Sequence, residues 1–519
     1  MNDAKNKNLN PYQSVLDELQ STFESGVTKD LKWRKTILQA FQKMLLENTD
    51  RLEEAFIQDL GGGKVRVIIE IGTIVEEIEA CLLHLNQWAA DRPLKLGDWM
   101  AEVPGFDQRV LRPTPKGVTL NISTWNFPYN LTLVPVINAV AAGNCCVMKP
   151  SEVSPTTSAL LKQLVSEYLP SNAIRVVEGG IKDTTDLLKL PWDHITYTGS
   201  TAVGKIVMTA AAQHLTPLTL ELGGKNPTFV DKSANIDLAV ERLLVAKTIN
   251  AGQLCYCVDY VLVDETIIEE FSEKCAKVAH RILGDAAAQR GDSIESHQQW
   301  CNRIIAERHT ERLKSYLEED HGGTILTGGL DSISVKDKFC PFTIVLNPKV
   351  GSKLMSEEMF GPILILYSVP NVTQALSIMK SICNTPLSLY IFSSDKHYTE
   401  TILQNTTSGS VGINTCAEQN LPTTIPFGGV GQSGFGCYHA KFGFDEYSHL
   451  RNMMKRTTLL PLSVIPKFAL PQQNQFPTIV HPFMRKKFYT GFLPGWLPKA
   501  LPWIGVAAIS CYVGTKLGG

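Results

Sequence analysis

From about Val118 onward, short apolar runs alternate with stretches of helical periodicity, and the connections between them are short. Alternation of strand-like and helix-like segments is typical of a parallel sheet covered by helices. We therefore expect an α/β fold. The apolar runs include 117–122, 144–148, 173–178 and 194–198, and the helical stretches include 155–169 and 202–214.

The length of the chain predicts more than one domain. A chain of 519 residues is too long for a single core, so we expect two or three domains. Before Val118 the apolar residues recur at helical spacing, at 31–46 and 68–88. A second strand–helix series runs from near Thr228 to about Asn414.

Composition excludes several classes of protein. The net charge is −2 and no basic stripe is visible, which argues against a nucleic-acid binder. The twelve cysteines contain no C-x-x-C pair, so we predict no metal site. The polar amino terminus lacks the apolar stretch of a signal peptide, and with scattered cysteines this predicts a reduced, cytosolic environment.

A carboxylate and a thiol stand in the two strongest local motifs. Glu221 lies in T-L-E-L-G-G-K at 219–225, and Cys255 ends A-G-Q-L-C at 251–255. A free cysteine has a pKa of about 8.5, so a thiolate needs oriented backbone N–H groups or a base nearby. Taken alone, a buried cysteine and a surface glutamate are the simpler interpretation. The motifs that follow favour a nucleophile and a general base.

Five further motifs are spaced along the chain. Together with the two above, their order and spacing resemble the aldehyde dehydrogenase superfamily from roughly Val15 to Arg451, although no single motif would be specific. They are I-S-T-W-N-F-P-Y-N at 122–130, K-P-S-E at 149–152, Y-T-G-S-T-A-V-G-K at 197–205, E-E-M-F-G-P at 357–362 and P-F-G-G-V-G-Q-S-G-F-G at 426–436.

Three regions resemble the fatty aldehyde dehydrogenase branch of that superfamily. Tyr256, Cys257 and Ala440 depart from the usual pattern, and Cys257 could compete with Cys255 as the reactive thiol. The resembling regions are T-G-S-T-A-V-G-K-I-V-M at 198–208 with H-L-T-P-L-T-L-E-L-G-G-K at 214–225, D-Y at 259–260, and Y-H-A-K-F-G-F-D-E-Y-S-H-L-R at 438–451.

The resemblance implies a mechanism for oxidising an aldehyde to a carboxylic acid. Cys255 would attack the carbonyl and form a thiohemiacetal, while the Asn126 amide and the Cys255 backbone N–H bind the oxyanion. Hydride transfer to the cofactor would leave a thioester, and Glu221 would activate the water that hydrolyses it. Glu358, with Phe360 beside it, would hold the nicotinamide ribose.

Two alternatives belong to other functional classes. A catalytically silent member is disfavoured because Cys255, Glu221 and Asn126 are all present. A CoA-dependent enzyme that forms a thioester product needs no base for hydrolysis, so Glu221 argues against it.

The expected cofactor is NAD, with NADP possible. Gly199, Ser200 and Gly204 lie in a turn that opens a helix after a strand, where free N–H groups attract phosphate. An ordinary capped helix is the alternative. The resemblance implies that Lys149 and Glu152 hold the adenine ribose. A carboxylate there can bond a 2′-hydroxyl and would repel a 2′-phosphate, which favours NAD.

The C-terminal tail predicts a membrane contact. The apolar run at 500–515 is shorter than the roughly 20 residues of a spanning helix, and basic residues at 485–487 and several aromatic residues precede it. This layout resembles the C-terminal membrane anchor of fatty aldehyde dehydrogenases. We expect a membrane-associated enzyme facing the cytosol, with the endoplasmic reticulum as first choice. A soluble tail covering the protein's own surface is the alternative.

The expected architecture has four parts. Residues 1–224 form a Rossmann-like cofactor-binding domain, except for a hairpin near 100–112 that belongs to a small oligomerisation element. Residues 225–426 form the catalytic domain, 427–456 an active-site cover and dimer strand, and 457–519 the C-terminal extension. We expect a homodimer acting on medium- to long-chain fatty aldehydes. The alternative is a soluble enzyme for aromatic or short aldehydes.

Overall fold

The computed structural model describes residues 10–94, 107–284 and 303–456. Most of the expected hairpin tip and the whole C-terminal extension therefore lie outside the described residues. The described chain divides into two compact units. One contains residues 10–88 and 114–449, without 285–302, and the other contains 89–94, 107–113 and 450–456.

Four helices open the chain, as the helical periodicity predicts. The side chain of Asp30 accepts a hydrogen bond from the Lys32 N–H at 3.0 Å and so caps the second helix. Leu38 and Phe41 are fully buried, which is the inner face of an amphipathic helix. The helices are α1 (Gln13–Glu24), α2 (Leu31–Glu47), α3 (Thr49–Leu60) and α4 (Lys64–Trp88).

A six-stranded sheet follows, with the strand order β15-β7-β6-β3-β4-β5. All its pairs are parallel except that β15 runs antiparallel to β7. The strands and helices predicted in this region agree with the structure to within two residues at each end. The strands are β3 (Val118–Ile122), β4 (Cys145–Lys149), β5 (Ile174–Val176), β6 (His194–Gly199), β7 (Leu218–Leu222) and β15 (Gly434–Phe435), and the helices are α5 (Asn130–Ala142), α6 (Pro155–Tyr168), α7 (Ile181–Leu187) and α8 (Thr201–Ala212).

A seven-stranded sheet has the order β10-β11-β12-β9-β8-β13-β14 and is parallel except between β10 and β11. Neighbours such as Phe229 and Val230 enter two different apolar clusters, so both faces are buried. The strands are β8 (Pro227–Val230), β9 (Tyr260–Asp264), β10 (Thr324–Thr327), β11 (Thr343–Leu346), β12 (Ile363–Val369), β13 (Ser388–Phe392) and β14 (Ser410–Ile413). The helices are α9 (Ile236–Thr248), α10 (Ile268–Leu283), α11 (Glu307–Glu318), α12 (Lys353–Ser356), α13 (Val372–Ile382), α14 (Lys396–Asn405) and, later in the chain, α15 (Ala440–Glu446).

A small third sheet contains β1 (Arg92–Pro93), β2 (Asp107–Pro115) and β16 (Ser448–Arg456), in the order β1-β2-β16. β1 and β2 pair antiparallel, with Arg92 opposite Leu111. The predicted α/β fold is confirmed, whereas the four domain boundaries remain a prediction. Among the residues that the structure describes, no helix is both long enough and apolar enough to cross a membrane.

Candidate active site

Cys255 lies on the loop between α9 and β9, and the backbone before it is strained. Asn250, Ala251 and Gly252 all have positive φ, at 53°, 52° and 73°. Non-glycine residues rarely adopt this conformation, and each costs roughly 1–2 kcal/mol. A Cβ atom at Gly252 would lie 2.3 Å from the carbonyl oxygen of Gly361, so only glycine fits there.

Asn226 fixes the loop on both sides of Tyr256. Its Nδ2 donates to the carbonyl oxygens of Cys255 and Cys257, at 2.8 and 2.9 Å. Its Oδ1 accepts from the Ser388 N–H at 2.9 Å, which anchors the amide to β13. Cys257 is buried, whereas Cys255 is partly exposed and lines a large cavity. This placement favours Cys255 as the thiol that a substrate reaches.

Asn126 lies beside the cysteine loop. Its Nδ2 donates to the carbonyl oxygen of Gln253 at 3.2 Å. Asn250 Nδ2 donates to the carbonyl oxygens of both Asn126 and Gln253, at 3.0 and 3.1 Å. These bonds connect the segment after β3 to the segment before Cys255. An amide donor is therefore held beside the loop that carries the thiol.

Glu221 on β7 is a buried carboxylate whose oxygens are both unpaired. Its side chain is 2% exposed, and neither oxygen has a hydrogen-bond partner among the described residues. Burial, and then the charge of Glu446, raise the pKa of Glu221 well above its ordinary value. Unpaired buried carboxylates are costly, so this one points to a function.

Two carboxylates affect the pKa of the Cys255 thiol. Burial first, and then the charges of Glu358 and Glu221, raise the pKa of Cys255 above its ordinary value. Removing a proton from the thiol is easier when Glu221 and Glu358 are themselves neutral.

A cavity of about 650 Å³ reaches Cys255. Much of its wall is apolar, with contributions from α5, α9 and the cysteine loop. Aromatic rings lie in the part of the wall next to Cys255. The ring centre of Tyr256 lies 6.4 Å from that of Phe127, on which it stacks, and 6.1 Å from that of Phe427, which it meets edge-on. A cavity of this size accommodates a molecule much larger than a two- or three-carbon aldehyde.

The predicted cofactor residues in 149–152 and 199–204 lie at or just after the carboxyl ends of parallel strands. Lys149 ends β4 opposite Ile122, and Gly199 ends β6 opposite Leu222. β3 pairs with β4 on one side and with β6 on the other, so the strands that follow β3 in the chain lie first on one side of it and then on the other. Such a reversal of strand order is a topological switch point, where open α/β sheets bind nucleotides. The motifs around 149–152 and 199–204 are thereby brought to one edge of the sheet.

Lys149 and Glu152 form an ion pair with Nζ 2.8 Å from Oε2. Lys149 is 3% exposed and Glu152 is 47% exposed, so the carboxylate faces outward while the ammonium supports it. Although partial burial acts in the opposite direction, the bond and charge of Lys149 hold the pKa of Glu152 below its ordinary value. An ionised carboxylate at this position suits a ribose hydroxyl.

Ser200 caps α8, since its Oγ accepts from the Val203 N–H at 3.4 Å. Gly204 lies one turn into the helix and faces the side chain of Leu222. The start of α8 is therefore an ordinary capped helix terminus. Its role in binding the phosphates of the cofactor remains a proposal.

Glu358 and Phe360 lie on the loop between α12 and β12. A Cβ atom at Gly223 would lie 2.4 Å from Glu358 Oε2, so the carboxylate contacts the turn after β7. Glu358 Oε1 has no partner among the described residues, and burial, with the charge of Asp259, raises the pKa of Glu358 to about 8. Phe360 packs edge-on against Trp125 at 5.4 Å. An unpaired carboxylate oxygen beside a glycine turn fits a hydroxyl-bearing cofactor.

The comparisons with known proteins agree with this geometry. A sequence model of the aldehyde dehydrogenase family matches residues 6–453. The chain belongs to the aldehyde dehydrogenase family. As such it is an NAD(P)-dependent enzyme that oxidises aldehydes. The predicted superfamily, activity and cofactor class are therefore confirmed.

Two related sequences and one solved structure illustrate how similar this chain is to known aldehyde dehydrogenases. It is 38% identical over 455 residues to the rat "Aldehyde dehydrogenase, dimeric NADP-preferring", covering 87% of this chain and 96% of the relative. It is also 38% identical over 437 residues to rat "Aldehyde dehydrogenase family 3 member A2", covering 84% and 87%. The substrate-bound state of Staphylococcus aureus AldH superposes with a TM-score of 0.84 at 32% identity, covering 92% of this chain and all of the other.

Sequence reasoning missed a buried ion cluster that supports this dehydrogenase's site. Lys225 Nζ and Lys247 Nζ lie 3.8 and 3.5 Å from the two oxygens of Asp259, which also accepts from the Met359 N–H. The cluster ties the cysteine loop to the segment that carries Glu358. Lys225 and Asp259 stood in quoted motifs, but nothing in the sequence paired them. Asn226 and Asn250 were missed for the same reason.

Proposed function

We propose that this enzyme oxidises medium- to long-chain aliphatic aldehydes to fatty acids. The observation that carries the proposal is the size and largely apolar wall of the cavity that Cys255 helps to line. Burying alkyl chain there is favourable by about 0.8 kcal/mol per CH₂ group. Each added methylene should therefore improve binding until the cavity is full.

Cys255 is the proposed nucleophile: its thiol passes its proton to water, and the sulfur forms a bond to the aldehyde carbon. The carbonyl oxygen becomes an oxyanion as the C=O π bond breaks. Nδ2 of Asn126 donates one of its two hydrogens to Gln253, which leaves the other for the oxyanion. The Cys255 backbone N–H is the proposed second donor.

The proposed cofactor contacts use the residues at the sheet edge. Lys149 and Glu152 would hold the adenine ribose, the start of α8 at Gly199, Ser200 and Gly204 would face the phosphates, and Glu358 with Phe360 would hold the nicotinamide ribose. A bound NAD or NADP would supply the acceptor for the hydride that leaves the substrate carbon.

Glu221 is the proposed base for hydrolysis. After the thioester has formed, water attacks its carbonyl carbon, Glu221 takes a proton from the water, and the Cys255 sulfur leaves as the C–S bond breaks. A carboxylate whose pKa is raised by burial is a stronger base than an exposed one.

A homologous series of straight-chain aldehydes tests the substrate proposal. We expect kcat/KM to rise from propanal to about decanal and then level off, with NAD and NADP compared at each length. A flat or falling profile would contradict it.

Aromatic aldehydes are the second candidate, and the ring cluster of Phe127, Tyr256 and Phe427 favours them. Benzaldehyde belongs in the same series. A kcat/KM for benzaldehyde above that of every alkanal would favour this candidate instead.

Membrane attachment and a homodimer complete the proposal. The apolar run at 500–515 after the basic residues 485–487 supports insertion of the tail with the enzyme facing the cytosol, and the endoplasmic reticulum is the membrane that we propose. Cells expressing the full chain and a form ending at Arg456 should be fractionated. Extraction of the full chain by alkaline carbonate would contradict an integral anchor.

The word "dimeric" in the rat relative's name supports a dimer, with β16 and the hairpin near 100–112 as the proposed contact.

A further inference from the structure

One face of α4 places polar side chains in the wall of the substrate cavity. Arg66, Glu70, Thr73 and Glu77 are spaced by three or four residues, so they lie on the same side of the helix, and all four line the cavity. An apolar chain lying in this cavity would contact them. The cavity therefore has one polar wall that a plain alkyl chain does not need.

Arg66 is held rigidly in that wall. Its Nη2 donates to the carbonyl oxygen of Asn126 at 2.6 Å. The guanidinium carbon lies 5.1 Å from the ring centre of Phe56 and 4.8 Å from that of Phe127. Two rings and one strong hydrogen bond leave the group little freedom to turn.

The remaining donors of Arg66 are unpaired. Nε and Nη1 are buried, with no hydrogen-bond partner among the described residues. Glu70 lies one helical turn away and its charge acts on Arg66, but no hydrogen bond joins the two side chains: Glu70 Oε1 accepts from the N–H groups of Tyr129 and Asn130, both at 2.9 Å, and Oε2 has no partner among the described residues. Burial lowers the pKa of Arg66 to about 10, so the group stays charged at neutral pH. A charged donor left unpaired in a cavity wall is costly.

We propose that Arg66 is a specificity-determining residue that donates a hydrogen bond to an oxygen atom in the chain of the aldehyde. The favoured substrates are aldehydes with an ether or similar oxygen acceptor a few atoms from the carbonyl. The position of this oxygen in the chain follows from Asn126. Arg66 donates to the backbone carbonyl of Asn126, and the side chain of Asn126 lies beside the cysteine loop. This inference rests on the proposed function and narrows its substrate class.

The test replaces one CH₂ group by oxygen at a time. We would compare decanal with 4-oxa-, 5-oxa- and 6-oxadecanal, and hexanal with 4-oxahexanal, measuring kcat/KM for each. A hydrogen bond from a charged donor contributes about 1.5–3 kcal/mol, so one isomer should exceed its parent alkanal by roughly tenfold or more. An ether oxygen cannot add to the aldehyde group and close a ring, so the oxa-aldehydes and the alkanals are compared in the same open form.

Variants assign the preference to Arg66. Arg66→Met keeps the length of the side chain without its donors, and the ratio of oxa-aldehyde to alkanal should fall to about one or below. Arg66→Lys keeps a donor and should restore part of it. Any general loss from the contact with Asn126 lowers both substrates alike and cancels in the ratio.

Glu76→Gln is the control on the same helix, because Glu76 is exposed and is not among the residues that line the cavity. The ratio should not change. The inference is overturned if wild type prefers the alkanal to every oxa isomer, or if Arg66→Met leaves the ratio unchanged. Rejection of decanal with good turnover of hexanal would instead contradict the proposed function, and the six-carbon pair would still report on Arg66.

Discussion

At the scale of single residues, two cysteines compete for the role of nucleophile. Asn226 holds the carbonyls of both, but Cys255 lines the cavity and Cys257 is buried. We expect Cys255→Ser to abolish NAD reduction while the cofactor still binds, because an unassisted hydroxyl is a far poorer nucleophile than a thiolate. Cys257→Ser should keep most of the activity. The reverse pattern in a steady-state assay would mean that the nucleophile is misassigned.

Glu221 is the second prediction at this scale. Glu221→Gln should lower steady-state turnover by roughly 10²–10⁴, which is the span of a general base. Because hydrolysis would then limit the rate, one equivalent of NADH should still form in a rapid burst. The pKa of Glu221 is raised, so turnover in the wild type should increase with pH as the carboxyl loses its proton. Turnover close to wild type in the variant would remove Glu221 from the mechanism.

At the scale of elements, the loop before Cys255 depends on Gly252. We expect Gly252→Ala to cause a large loss of activity and a lower melting temperature, since the added Cβ would overlap the Gly361 carbonyl. Gly72→Ala on α4 is a suitable control, because a Cβ there meets nothing within 4 Å. Replacing a helical glycine by alanine should stabilise by about 0.5–1 kcal/mol. Equal melting temperatures for the two variants would contradict the strain argument.

The strand ends of the six-stranded sheet carry the fourth prediction. Glu152→Gln removes the charge that would repel a 2′-phosphate, so the ratio of kcat/KM for NADP to that for NAD should rise. Glu167→Gln, at the other end of α6, should leave this ratio unchanged. If both variants behave alike, Glu152 does not face the ribose.

At the scale of the whole molecule, buried carboxyl groups make stability depend on pH. Burial raises the pKa of Glu77 to about 7, above the value of about 4.3 expected in the unfolded chain. Between these values the folded state binds more protons than the unfolded state. The free energy of unfolding therefore falls as pH rises through this window, by up to about 3 kcal/mol for this group.

Glu77→Gln keeps an acceptor for the Ala440 N–H and cannot ionise. Its melting temperature relative to wild type should rise from about pH 5 to pH 8. Glu76→Gln, at the exposed neighbouring position, should show no such trend. A constant difference for Glu77→Gln across this range would mean that Glu77 titrates normally.

The sequence alone was enough to predict the α/β fold and four strands of the six-stranded sheet, and it singled out Cys255 and Glu221 as the proposed nucleophile and base. The fold and the strands follow from local properties, because apolar runs of strand length and glycine turns can be read from neighbouring residues. The roles of Cys255 and Glu221 were instead inferred from the order of motifs along the whole chain. The tertiary structure decided which side chains meet. Arg66 and Asn126, Asn226 and Ser388, and Lys225 and Asp259 are far apart in sequence, and only packing brings them within a few ångströms. Burial, which raises the pKa values of Glu221 and Cys255, likewise depends on the whole fold because every covering element contributes to it.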